Sequence, residues 1–425
     1  MQITNSHQKN QVYLDSRLLL PTSSDVVSLP LETIRYHLPE EECCLGPACW
    51  LWDYLRRSGA AGFLLPLSGG ADSSSVATIV GVMTSLVYKA APTNSQVADD
   101  VRRICNQEKD PNWLPSSPQE IANYILHTVF MGTVNSSAAT RSRATRLAKD
   151  DIGAQHYNLN IDGAVSAMLA LFTTLTGKTP KFQAFGGSMS EDLALQNIQA
   201  RLRMVTAYFL AQLLPWVRGR GSGFLLVLGS ANVDEALRGY MTKYDCSSAD
   251  LNPIGAISKK DLKALLKYYS SEYPTLREIE EAPPTAELRP NASSVGKEHS
   301  QLDEEEMGMS YDELSWYGTL RKVWNCGPVS MYTHLLQRWK KQHTPKIIAE
   351  KVQRFFYYYS VNRHKLCTLT PSYHAEQYSP DDNRFDLRPF LYPTKWTRQF
   401  TKMNELVAKE EEKNNNNNHA KPQVI

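Results

Sequence analysis

Leu64-Leu65-Pro66-Leu67-Ser68-Gly69-Gly70-Ala71-Asp72-Ser73-Ser74-Ser75 decides how this chain folds. An apolar run ends at two glycines, hydroxyl residues follow, and Val76, Ile79, Val80 and Met83 then recur at helical spacing. The stretch reads as a buried strand, a tight turn and the opening of a helix. Gly69 and Gly70 let the backbone turn sharply and approach a ligand with no Cβ in the way. Unbonded N–H groups and the positive end of the helix dipole point into that turn, a setting for an anion such as phosphate. No Lys or Arg lies between Arg57 and Lys89, so this is not a Walker loop, whose lysine reaches the phosphates. Asp72 stands there instead, and a carboxylate beside phosphates implies an intervening Mg²⁺.

Further strand-like segments are Tyr124–Thr133, His156–Ile161 and Gly223–Gly229, the last echoing Gly62–Leu67. Helical patterns cover Ala48–Arg57, Ala138–Lys149, Ala164–Thr176 and Glu191–Val217. In the last, Ile198, Leu202, Val205 and Phe209 mark the expected buried stripe. Pro92–Pro118 reads as a polar excursion over the surface. Alternating strands and helices predict an α/β fold with a doubly wound parallel sheet. Its ligand lies beyond the carboxyl ends of the strands, near the point where strand order reverses. The loops at Ser68 and Gly229 both occupy such ends. After Lys259 the pattern is helical and aromatic (Leu262–Tyr269, Tyr311–Lys322, Met331–Lys341 and Lys346–Tyr359), and Cys367–Pro393 is loop-like. Residues 1–40 read as a joining segment or flexible arm. Residues 41–400 read as the main domain, and 401–425, with its asparagine run, as a disordered tail.

The 425 residues carry a net charge of +2, which gives no argument for nucleic acid or an anionic membrane as partner. No apolar run reaches spanning length. Seven cysteines without repeating spacing and an N-terminus without signal-peptide features predict reduced thiols and a cytoplasmic protein. Cys43, Cys44 and Cys49 lack the partners that would complete a zinc site and read as structural thiols.

In Gly229-Ser-Ala-Asn-Val-Asp-Glu235, Glu235 falls in the first turn of a helix, where the dipole alone accounts for an acid. A doubly wound sheet, however, sets this loop beside Asp72, and the two carboxylates together suit one Mg²⁺ between phosphates. Lys243 and Lys259 suit phosphate and Asp250 suits a hydroxyl or amide donor, though each also reads as a surface charge. Asn197 and Arg201 share one helix face. That arginine fork grips phosphate or carboxylate, and a solvated face explains the pair equally. Asp303–Glu306 reads as a solvated acidic loop.

Ser68-Gly-Gly-Ala-Asp-Ser73 has the form of the pyrophosphatase-type ATP loop, whose owners cleave ATP between the α- and β-phosphates. That loop alone leaves GMP synthetase, asparagine synthetase and tRNA-modifying relatives open. Joined in order by Asn197–Met204, Gly229–Pro253, Pro284–Leu288, Met307–Leu314 and Asn362–Lys365, it makes the chain resemble NAD synthetase from about Leu45 to Pro393. Cys246–Asp250 and Arg384–Tyr392 look like the synthetase half of the eukaryotic glutamine-dependent enzyme. The resemblance implies an adenine nucleotide alpha hydrolase fold with C-terminal helical additions. It also implies ATP-dependent amidation of deamido-NAD by ammonia, through an adenylated intermediate, to NAD⁺, AMP and pyrophosphate.

Carried over by motif, Ser68, Gly69, Gly70, Asp72 and Ser73 hold the pyrophosphate portion, and Asp72 and Glu235 bind Mg²⁺. Lys259 and Thr285 contact ATP, with Asp72 and Lys259 as the catalytic pair. Arg201, Tyr240, Lys243, Asp250 and Glu304 line the deamido-NAD site, and His364 and Lys365 close over it. A homodimer is implied too, with Trp50–Tyr54 or Glu191–Val217 as contact surfaces. The resembling glutamine-dependent enzymes carry a preceding glutaminase domain. The forty or so residues ahead of the match are too few for one. The expectations are a truncated chain or a synthetase using free or externally supplied ammonia, with a catalytically silent paralogue as the competing reading.

Overall fold

The computed structural model describes residues 34–221, 223–283, 287–290, 303–375, 378–379 and 392–419. Two compact units, Met1–Leu38 and Pro39–Ile425, divide the chain, and every described helix and strand lies in the second. β1 (Phe63–Pro66), β2 (Leu126–Gly132), β3 (Gln155–Asn160) and β4 (Leu226–Val227) form one parallel sheet in the order β3-β2-β1-β4. A central parallel strand is covered on both faces, which is why β1 is continuously apolar. Phe63 and Leu65 enter one core with Val76, Ile79 and Val80. Leu64 enters the opposite core with Val129, Met131 and Val227. Each such leucine stabilises the fold by about 1.5–3 kcal/mol relative to exposure.

The face of Phe63 is covered by α1 (Pro39–Ser58), α2 (Ala71–Ala90), α3 (Ser95–Ile104) and α4 (Pro118–Ile125). α5 (Ala138–Arg146) continues into a π-helical stretch, Leu147–Ile152, and seats Ala144 and Leu147 in the same core. α6 (Asp162–Thr176) and α7 (Met189–Val217) lie on the face of Leu64. α8 (Val233–Arg238) follows β4, and α9 (Lys259–Tyr269) and α10 (Thr275–Glu281) return to the first face. A third, aromatic core joins α11 (Asp303–Met307), α12 (Tyr311–Gly318), α13 (Pro328–Trp339), α14 (Pro345–Val361) and α15 (Thr397–His419).

Three expectations are corrected. The polar excursion contains α3, capped by Asn94 and burying Ala98, Val101 and Ile104 at helical spacing. On α7 the bulky stripe faces outward, with Val205 64% and Phe209 65% exposed and Ile198 and Leu202 half-buried. Small residues, Ala207 and Ala211, face the sheet instead, so the helix approaches closely. The tail expected to be disordered from 401 is helical to His419, and Met403 and Val407 are buried in the aromatic core. None of the seven cysteines forms a disulfide. Among the described residues no helix is long and apolar enough to cross a membrane.

Candidate functional site

β1 has β2 on one side and β4 on the other, so strand order reverses between β1 and β4 and their following loops part to leave a crevice. A cavity of about 300 Å³ opens there, lined by Ser68, Gly70, Asp72, Arg143, Lys259 and Asp303 among others. The Ser68 turn is held by its own hydroxyls: the Ser68 amide donates to Ser73 Oγ at 3.2 Å, and the two hydroxyl oxygens lie 3.0 Å apart. Gly69 sits at φ +80°, and a Cβ there would lie 2.2 Å from the Thr140 carbonyl oxygen, so α5 presses directly on the turn. α2 begins at Gly70 without a side-chain cap, leaving its first amides for an anion.

Opposite that turn stands a buried charge cluster. Lys259 opens α9 behind the Ser258 cap, and its ammonium donates to Asp72 Oδ2. Glu235 Oε1 lies 3.9 Å from the same nitrogen. Tyr311 donates its hydroxyl toward Asp303 at 3.3 Å and Glu235 at 3.4 Å. Its ring centroid is 5.3 Å from the ammonium. Burial pulls the Lys259 pKa down, but Asp72 and Glu235 outweigh it and hold the group firmly protonated. Burial, then the Asp72 charge, pushes the Glu235 carboxyl well above its usual range. Burial likewise pushes Asp303 up to about 6 and Asp234 up to about 7.

Among the described residues no three His, Cys, Asp or Glu side chains converge as a metal cage. Mg²⁺, however, needs only one or two protein carboxylates when phosphates and water complete its shell. The ammonium already gathers Asp72 and Glu235 around one cation, so that donor set fits the ion.

The residues expected to line a second substrate's site divide. Arg201 Nε donates to the Lys243 carbonyl at 3.0 Å, and Thr242 Oγ1 donates to Asn197 Oδ1 at 2.7 Å, binding α7 to the loop after α8. Lys365 Nζ donates to the carbonyls of Gly239 at 2.8 Å and Met241 at 2.7 Å in that loop. Its pKa falls to about 8, through burial and then the Arg238 charge. Exposed His364 is lowered by partial burial, then by Lys243 and Lys365. Tyr240 donates to Glu306 Oε2 at 2.6 Å. Tyr240 and Lys243 thus belong to the loop that Arg201 and Lys365 hold from outside, with His364 next to Lys365 in sequence.

Two expected residues are engaged elsewhere. Asp250 accepts the Val227 amide at 2.8 Å and the Tyr208 hydroxyl at 3.1 Å, pinning β4. Exposed Glu304 accepts the Tyr311 amide at 2.9 Å. Its neighbour Asp303, read as part of a solvated loop, is 7% exposed and faces the lysine cluster. Thr285 lies outside the described residues. Reading the sequence also missed Asn232, Asp234 and Tyr311. Asn232 and Asp234 lie inside the Gly229–Glu235 motif and Tyr311 inside Met307–Leu314, but neither motif singles them out from the residues beside them.

A parallel sheet carrying this loop and cluster at its switch point defines an α/β protein of the adenine nucleotide alpha hydrolase type. The sequence model of NAD synthase matches residues 47–366, and the chain belongs to the NAD synthase family. It is 59% identical over 377 residues to the glutamine-dependent NAD(+) synthetase of Arabidopsis thaliana, covering 88% of this chain and 51% of that protein. To the enzyme of the same name from Homo sapiens it is 56% identical over 377 residues, 88% of this chain and 52% of that one. The chain therefore spans about half the length of the curated relatives it matches. Its fold is that of a crystal structure of a glutamine-dependent NAD(+) synthetase from Cytophaga hutchinsonii, with a TM-score of 0.66. The two share 24% identity over 86% of this chain and 56% of the other.

Proposed function

We propose that this chain catalyses ATP-dependent amidation of deamido-NAD to NAD⁺ with ammonia as nitrogen donor. The observation that carries the reading is the meeting of Asp72, Glu235 and Lys259 beside an uncapped glycine turn at the sheet's switch point. A nicotinate carboxylate oxygen attacks the α-phosphorus of ATP, the bond to the β-phosphate oxygen breaks, and pyrophosphate departs. Ammonia then attacks the carbonyl carbon of the acyl adenylate, a proton leaves nitrogen, and AMP departs with the oxygen that bridged carbon and phosphorus. Ser68, Gly69, Gly70 and Ser73 cradle the departing pyrophosphate through backbone and hydroxyl donors. Lys259 neutralises the charge that builds on the phosphates. Asp72 and Glu235 would hold a Mg²⁺ that supplies further neutralisation of the triphosphate. Arg201, Tyr240, Lys243, His364 and Lys365 orient the dinucleotide, Asp250 and Glu304 act only through the β4 and α12 backbones they hold, and Thr285 contacts ATP. Catalysis is positioning and electrostatics rather than a protein nucleophile.

The outward apolar face of α6 and α7 supports a homodimer: Leu171, Leu175, Val205, Phe209 and Trp216 are exposed there. The test is to supply ATP, Mg²⁺ and deamido-NAD with either ammonium or glutamine. Equal amounts of NAD⁺, AMP and pyrophosphate with ammonium support the reading. A folded protein that turns over neither nitrogen source favours the silent paralogue.

A further inference from the structure

Asn232 is completely buried, and both ends of its side-chain amide are engaged. Its Oδ1 caps α8 by accepting the Glu235 amide at 2.9 Å. Its Nδ2 donates to Asp72 Oδ1 at 2.9 Å, across 160 residues of sequence. The residues around it are held as firmly. The Ala231 carbonyl accepts from Asn252 Nδ2 at 2.8 Å, and the Val233 amide donates to the Ile257 carbonyl at 3.1 Å. Asp234 Oδ2 accepts the Lys259 amide at 2.9 Å, so the same helical turn also seats the first residue of α9.

Capping alone does not require asparagine. Serine and aspartate cap a helix as well, but an ionised aspartate has no donor, and serine offers one short hydroxyl where two groups must be met. Only a side chain that accepts at one end and donates at the other ties the α8 cap to Asp72. One Asp72 oxygen is fixed by Asn232, which leaves the other to face Lys259. We propose that Asn232 is a positioning residue that sets the orientation of the Asp72 carboxylate and its spacing from Glu235. This deepens the function proposed above and rests on it.

Asn232→Ser and Asn232→Thr both keep a capping acceptor, and their short hydroxyls cannot also donate to Asp72. The full chain carrying either variant is compared with wild type for thermal midpoint, for Mg²⁺–ATP binding by calorimetry, and for kcat and KM in AMP formation. The expected result is a thermal midpoint near that of wild type, Mg²⁺–ATP binding weakened about tenfold and kcat reduced about 10²-fold. KM for deamido-NAD stays unchanged. A folded variant with wild-type binding and kcat overturns the proposal. So does failure of both variants to fold, which would make the residue a structural cap. A wild-type protein that forms no AMP sinks the functional reading itself. Wild-type turnover beside an unaffected Asn232→Ser sinks only this inference.

Discussion

Lys259 is buried with Asp72, Glu235 and Asp303 around it, and the cluster holds together because the ammonium offsets carboxylates largely withdrawn from water. Removing one member of such a set leaves the others unpaired. Lys259→Met is expected to cost about 3 kcal/mol of stability, read as a lower urea midpoint, and to abolish AMP formation. Asp72→Asn removes charge and keeps shape. Pyrophosphate release is expected to fall about 10²–10³-fold in a protein that still folds, and near-normal release would refute its role. Gly69→Ala places a Cβ against the Thr140 carbonyl at a positive φ, and a loss of at least about 1–2 kcal/mol is expected from the backbone alone. Asp72 and Glu235 are legible because each lies in a loop motif with its own local chemistry, whereas Lys259 reads as a surface charge until the family resemblance assigns it to ATP. Asp303 is not legible. A buried acid and a solvated one read alike in an acidic run, and only the packing of α11 and α12 behind α9 separates them.

At the scale of elements, β1, β2, β3, α2 and α7 follow from local pattern, since apolar runs and helical spacing are written within each segment. Direction of burial is less local. Periodicity finds a stripe on α7 but not what covers it, and the sheet chose the small residues of the opposite face. On α15, Met403 and Val407 lie four residues apart amid charges, too sparse a stripe to stand out beside an asparagine run. Met403 is fully buried against the aromatic core, so Met403→Ala is expected to cost about 2–4 kcal/mol, measured by thermal or urea unfolding. A change within a few tenths of a kcal/mol would mean that α15 is not docked.

The molecule as a whole leaves two global expectations. If α7 is a dimer face, Phe209→Asp is expected to convert a dimer to a monomer in sedimentation, while a wild-type monomer would contradict the assignment. His127 is fully buried, and burial, then Arg218 and Arg220, lowers its pKa to about 3. The unfolded chain binds more protons than the native one between about 6.5 and 3. This contribution is therefore complete above pH 6.5 and is lost as pH falls toward 3. His127→Gln is expected to reduce the dependence of urea midpoints on pH between 7 and 4. The central claim is transfer of a carboxylate oxygen to the α-phosphorus, and isotope tracing tests it most directly. Deamido-NAD labelled with ¹⁸O in its nicotinate carboxylate is turned over with ATP, Mg²⁺ and ammonium, and the products are weighed by mass spectrometry. The account predicts one labelled oxygen in each AMP and one retained in the amide of NAD⁺; unlabelled AMP, or ADP formed with labelled phosphate, would contradict it.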